Sequence, residues 1–130
     1  MADTNLIEVA MYNYLSPKLA ALSPAWSFQW GIVPPGTTDY VELAGVGGAT
    51  NNVDDFESAR LQFSIVTERG MSSAATVREL LKGWLQRAKG VFSGLEIENI
   101  THVRSIDLPN PTTGESIITS EYQINYQGVI

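Results

Sequence analysis

His102 is the only histidine of the chain, so imidazole general-base, metal-ligand or pH-switch chemistry at neutral pH has a single place to start. It stands between Thr101 and Val103 in a β-branched run, which reads as a surface or rim position on a strand rather than a catalytic or metal-binding one. No G-x-S-x-G or related spacing offers a serine nucleophile with its base. The absence of cysteine removes thiol nucleophiles, thiolate zinc sites and disulfide frameworks together. Asp54, Asp55 and Glu57 supply oxygen donors that suit a hard cation, but their spacing departs from the EF-hand loop, and a solvated loop is the simpler reading. Gly45-Val46-Gly47-Gly48 has the glycines of a phosphate loop without the lysine or the helix opening that phosphate binding needs. Trp26, Trp30 and Trp84 would make an aromatic platform, yet their strand and helix spacing places them in a core. The residues therefore propose no enzyme, no cofactor and no metal.

Composition narrows the class further. The chain has 130 residues, enough for one domain over 1–130 with a sizeable core. Apolar residues make up 44% and charged residues 17%, a globular mixture whose charged share lies below the usual ~25% and leaves neutral surface for partners. The net charge of −6 and eight basic residues in all argue against nucleic-acid binding, which demands a Lys/Arg excess. No apolar run approaches the ~18 residues of a membrane span, and the first residues lack the basic region of a signal peptide. The expectation is a soluble chain.

The elements that must carry these residues follow from periodicity. Leu6, Ile7, Ala10, Met11 and Tyr14 form one helical stripe with Glu8 and Asn13 facing away. Asp3, Thr4 or Asn5 caps its start, and Pro17 ends or kinks it near Leu15, with Ser16-Pro17 opening a short second turn that carries Leu19 and Leu22. Trp26, Phe28 and Trp30 alternate with Ser27, Gln29 and Gly31 as a half-buried strand, stopped by Pro34-Pro35-Gly36. Tyr40–Leu43 is a second strand, and the span from Gly45 to Asp55 a long loop. In Arg60–Glu68, Leu61, Phe63 and Ile65 point one way and Arg60, Gln62 and Ser64 the other.

Past Gly70, Ser72-Ser73 read as the cap of a helix whose Val77, Leu80, Leu81, Trp84, Leu85 and Ala88 make one apolar face, with Gly90 as C-cap. Strands within Leu95–Leu108 and Ser116–Tyr126 flank a Pro109–Gly114 hairpin. In the last strand Ile118, Tyr122, Ile124 and Tyr126 face inward, and Thr119, Glu121, Gln123 and Asn125 outward. The fold class is α+β, an antiparallel or mixed β-sheet of about four to five strands with two helices packed on one face.

Charge is distributed unevenly. The stretch from residue 39 to 57 holds the acids Asp39, Glu42, Asp54, Asp55 and Glu57 and no base, whereas residues 78–89 hold Arg78, Lys82, Arg87 and Lys89 against Glu79 alone. Opposite charges on two faces of one small domain are what a head-to-tail ring uses.

The order of these features resembles the tail-terminator (tail-completion) proteins of long-tailed bacteriophages and the related minor capsid and neck proteins. The matching features span nearly the whole chain. An amphipathic first helix leads to a strand ending in Gly31-Ile32-Val33-Pro34-Pro35, then to Tyr40-Val41-Glu42-Leu43 and a Gly-Gly loop. Next come Arg60-Leu61-Gln62-Phe63-Ser64-Ile65-Val66, the helix carrying Ala74, Val77, Leu80 and Leu81, and a closing Tyr122-Gln123-Ile124-Asn125-Tyr126. The resemblance implies a non-enzymatic virion protein, made in the host cytoplasm, that forms a hexameric ring at the head-proximal end of the tail tube. Its implied partners are further copies of itself, the tail tube protein, a neck or head-completion protein and, in a contractile tail, a sheath terminator. The segment from Pro34 to Glu57 and the hairpin with Asn110, Thr112 and Thr113 are the candidate contacts, beside the acidic and basic residues above. Two other roles fit the pattern: a head–tail connector or minor capsid protein, and a small ligand-binding domain built on Trp26, Phe28 and Trp30.

Overall fold

The structure is a computed structural model that describes residues 4–30, 33–45, 57–88, 90–92, 95–110 and 114–128. Helix α1 (Thr4–Ala20) is followed by strands β1 (Ser27–Trp30), β2 (Tyr40–Gly45) and β3 (Glu57–Thr67), helix α2 (Met71–Gln86), and strands β4 (Gly90–Phe92), β5 (Leu95–Asn110) and β6 (Glu115–Gly128). The strands form one mixed sheet in the order β1-β2-β3-β6-β5-β4. Only β1 and β2 run parallel; every other neighbouring pair is antiparallel. This is the expected α+β class. The additional strand is β4, three residues directly after a helix and too short for alternation to show in the sequence.

The period-2 pattern decides which face of the sheet is covered. Leu61, Phe63 and Ile65 of β3 and Ile118, Tyr122 and Ile124 of β6 are all buried, and they share one core with Phe28, Val41 and Leu43. Both helices close that face: α1 contributes Ile7, Ala10, Met11, Leu15 and Leu19, and α2 contributes Ala74, Val77, Leu81 and Leu85. Phe63 stands edge-on to Phe28 and to Tyr122 at 6.4 and 5.7 Å. The opposite face is free of helix and is laced by hydroxyls and amides. Ser64 bonds Thr119 at 3.3 Å, Gln123 donates to Ser58 at 2.9 Å, and Asn125 donates to Asn99 at 2.8 Å.

Several local expectations need correction. Helix α1 runs through Pro17 to Ala20 as one element, so it does not end near Leu15 and Ser16-Pro17 lie inside it instead of opening a second turn. Proline in a helix costs ~3 kcal/mol, but Leu15 and Leu19 are fully buried, and each buried leucine contributes ~1.5–3 kcal/mol, so packing wins. Glu8 does not face solvent: it is 8% exposed and accepts a hydrogen bond from Trp30 Nε1 at 3.1 Å. Trp30 itself, expected in the core, is 42% exposed. Glu121 lies on the outer face as expected but is buried under Arg104, whose Nη2 donates to it at 2.9 Å.

Helix α2 is entered from Gly70, at φ 109°, and has no side-chain cap, because Ser72 and Ser73 lie inside its first turn. A Cβ at Gly70 would be strained by that dihedral. Leu80 is off the buried stripe, and the helix closes at Arg87, not Gly90, which instead begins β4. The helix-start residues Asp3, Thr4 and Asn5, the loop 46–56 and the hairpin tip 111–113 lie wholly or in their side chains outside the described residues.

One core group is polar and unmatched. The Tyr122 hydroxyl is buried with no hydrogen-bond partner among the described residues. Burial, helped by the negative charge of Glu79 and opposed by Arg78, pushes its pKa from 10.0 up to about 12. A neutral phenol is therefore favoured in the fold, and stability is lost as pH rises from 10 toward 12, where the unfolded chain ionises first. Tyr122→Phe removes an unmatched donor and should be neutral to stabilising by about 1 kcal/mol in urea unfolding. It should also flatten the alkaline loss, leaving the smaller contributions of Tyr14 and Tyr40, whose pKa values burial also raises. A loss of more than about 1 kcal/mol would show that the hydroxyl has a partner.

Candidate assembly surface

The sheet leaves its two margins unequal. On one side β1 offers a four-residue edge, Ser27–Trp30. On the other, β4 pairs only with Leu95–Ile97 of β5, so among the described residues β5 has no outer neighbour from Asn99 to Asn110. Register shifts between Ile97 and Asn99 and between His102 and Arg104 twist the first part of this edge, a usual protection against stray pairing. Beyond the second shift, Arg104–Leu108 continues without irregularity until Pro109, which has no N–H to offer.

The second bulge also decides what faces the helices. Because one residue is inserted at Val103, His102 and Ser105 both point to the helix side, opposite Tyr122 and Ser120. They form the floor of a cleft of about 310 Å³ at the β5 margin, walled by Arg78, Glu79 and Lys82 of α2. His102 Nε2 lies 2.9 Å from Ser105 Oγ, which lies 2.8 Å from the fully buried Ser120 Oγ. The chain of three adapts to either state of the imidazole. A protonated Nε2 donates to Ser105, which then donates to Ser120; an unprotonated Nε2 accepts from Ser105, which accepts from Ser120.

No carboxylate bonds His102 Nδ1 among the described residues, so the pair lacks the third group that orients a catalytic imidazole. Nor, among the described residues, do three or more His, Asp or Glu side chains converge on a common point. Arg78 is held by Glu79 at 3.1 Å and by Asp107 at 3.7 Å, whereas Lys82 makes no hydrogen bond or ion pair among the described residues.

The acidic and basic candidates are divided by the fold. Asp39 is engaged inside the chain, accepting from Thr67 Oγ1 at 2.6 Å and from Arg69 Nε at 2.7 Å. Glu42 lies on β2 opposite Ser64, on the helix-free face. Arg78 and Lys82 share the cleft wall, and Arg87 is exposed at the end of α2. Asp54, Asp55, Lys89, Thr112 and Thr113 lie outside the described residues, as do the side chains of Glu57 and Asn110.

At the β1 margin, reading the sequence passed over Tyr12, which joins Glu8, expected to face solvent, and Trp30, expected in a core or an aromatic platform; beside His102 it passed over Ser105 and Asp107. Tyr12 packs against Phe28 at 5.4 Å and Trp30 at 6.4 Å. The i, i+4 spacing of Glu8 and Tyr12 was the available signal for the first group. A three-residue spacing across a bulge leaves none for the second.

No protein-family model and no curated protein sequence matches this chain. Among solved structures, a chain of the virion of a native gene transfer agent particle shares its fold, with a TM-score of 0.72 at 18% identity over 97% of this chain and 100% of that one. A second solved chain superposes with a TM-score of 0.56 at 16% identity, over 100% of this chain and 98% of that one. At such identities the likeness is one of fold.

The Asp39 cluster can be tested by acid. Burial raises its pKa, but the hydrogen bonds from Thr67 and Arg69 and the Arg69 charge outweigh it, and the carboxyl ends below its ordinary 3.8. Its stabilisation is thus complete above that value and lost as pH falls through the lowered one. Asp39→Asn, which tolerates the positive φ of 53°, should cost about 1 kcal/mol near neutrality in urea unfolding. The gap from the parent chain should close below pH ~3.8. A gap that persists in acid would mean that charge is not what the cluster uses.

Proposed function

We propose that this chain is a structural protein of a phage-like particle and, within it, a tail terminator. Copies close into a hexameric ring on the head-proximal end of the tail tube, end its growth and present a surface to the neck. The observation that carries this reading is the fold shared, end to end in both chains, with a component of a gene transfer agent virion. The order of elements that resembles tail terminators supports the finer assignment. The protein acts without catalysis: its work is contact with its own copies, with the tube protein and with a neck or head-completion protein, and with a sheath terminator where the tail contracts.

The architecture suits that task. A single core under two helices keeps each subunit rigid, while a sheet with an open margin on either side has backbone groups to spare for neighbours. Unlike a two-fold dimer, which uses one self-complementary patch, a head-to-tail ring needs two different patches on each copy, and the two margins differ in strand length, charge and exposed side chains.

Native mass across a concentration series, with negative-stain images of the largest species, tests the proposal. A closed sixfold ring that binds tail tubes and caps them at one end is the expected result. A chain that stays monomeric at every concentration and leaves tube length unchanged when added to polymerising tube protein would overturn it. A ring that instead seats on portal or head would make it a connector.

A further inference from the structure

Five large apolar side chains stand exposed among the described residues: Tyr12, Trp30, Leu80, Val103 and Ile106. Four of them belong to the two margins of the sheet. Tyr12 and Trp30 sit together at the β1 edge, and Val103 and Ile106 lie on β5. Leu80 is on the flank of α2 shared with Trp84 one turn on, the flank that meets α1, since Tyr14 donates to the Trp84 carbonyl at 2.8 Å. Apolar side chains gathered at open strand edges mark contact surfaces more than chance exposure does.

The charges at the two margins complement each other. Helical spacing puts Glu8 and Tyr12 on the flank of α1 that faces away from α2. It puts Arg78, Glu79 and Lys82 on the flank of α2 that faces away from α1, over the β5 cleft. Glu8 is a nearly buried carboxylate that accepts from Trp30 and meets no cation among the described residues. Lys82 is a cation that meets no acid among them.

From these observations we infer that β1 of one copy adds to the Arg104–Leu108 edge of β5 in the next, continuing the sheet from subunit to subunit. The inference rests on the ring reading and names its junction. The polarity is right. β1 is parallel to β2, and three successive antiparallel pairings separate β2 from β5, so β1 arriving in the same frame runs antiparallel to β5, in the direction of β4. The lengths agree as well, four residues against the five that lie between the second bulge and Pro109.

Both helices lie on one face of the sheet, so continuing it brings α1 of the incoming copy beside α2 of the receiving one. Glu8 then lies across from Lys82, and the Tyr12 and Trp30 rings meet the cleft of Arg78, His102 and Ser105. Main-chain pairing supplies the attraction, and the side chains over the edge select the partner.

Two measurements on the intact protein test this. Deuterium uptake by peptides covering 27–30 and 104–108 should fall together as the protein assembles. Lys82→Glu and Glu8→Lys should each raise the concentration for half-assembly about tenfold or more, an effect of the size a lost ion pair gives. The double variant should restore it, and melting temperatures of the monomers serve as the control for folding. If rings form while residues 104–108 exchange freely and Lys82→Glu assembles like the parent, the junction is wrong and the ring stands. Protection of 104–108 without protection of 27–30 would give the edge to another strand and overturn the pairing with β1. A parent chain that never assembles, with or without tail tube, removes the ring and the junction together.

Discussion

Everything in this domain hangs on the pairing of β3 with β6. Eleven residues of one face eleven of the other, from Glu57 against Tyr126 to Thr67 against Ser116, with no interruption. Because side chains alternate, a slip of one residue would send Leu61, Phe63 and Ile65, or Ile118, Tyr122 and Ile124, to the helix-free face. That face is satisfied by hydroxyl and amide pairs, which cannot replace an apolar core. The register is thus fixed by hydrophobic burial on one side and by hydrogen-bond matching on the other. The helices dock where they do because only one face offers them apolar surface.

The one-sidedness of the core has a cost at the margins. β2 and β5 complete the pairing of β3 and β6, but the sheet has few residues left with which to finish its edges. β1 contributes four and β4 three. Isolated domains usually hide such edges under a loop, charges or a bulge. Here the first part of the β5 edge is bulged, while the part after His102 is regular and carries exposed Ile106. The same bulge turns His102 and Ser105 toward α2 and opens the cleft between them. Edge and cleft are one feature, since a further strand in the sheet would cover both.

How much of this the sequence disclosed depends on whether regular alternation carries the information. Phe63 and Ile65, Tyr122 and Ile124, and Val77, Leu81 and Leu85 announce their faces by spacing alone, and the α+β class with both helices on one face follows from them. Pro17 misleads because a local rule, worth ~3 kcal/mol, is outweighed by leucines whose burial depends on the rest of the fold. Trp30 misleads differently. Its spacing is that of a core residue, but β1 is the outermost strand, so among the described residues no further strand lies beyond it to complete the cover. The cleft was illegible because the inserted Val103 breaks the period that would have put His102 and Ser105 on one face, and no residue type marks such an insertion. The charge asymmetry was legible as composition, but Asp39 is spent within its own subunit by Thr67 and Arg69, which only tertiary structure reveals.

The link between the margins runs through the core. Tyr12 packs on Phe28, Phe28 on Phe63, Phe63 on Tyr122, and Tyr122 lies against His102 at 5.1 Å between ring centres. This aromatic row crosses the domain from the β1 edge to the floor of the β5 cleft. Close-packed rings transmit displacement poorly as deformation and well as rigid position, so the row fixes the spacing between the two surfaces instead of coupling them as a switch. In the ring proposed above, where each copy would meet identical neighbours on both sides, a rigid core would hold the two edges in one relative orientation, and that orientation together with the junction would decide whether a head-to-tail chain closes into a ring or runs on as a filament.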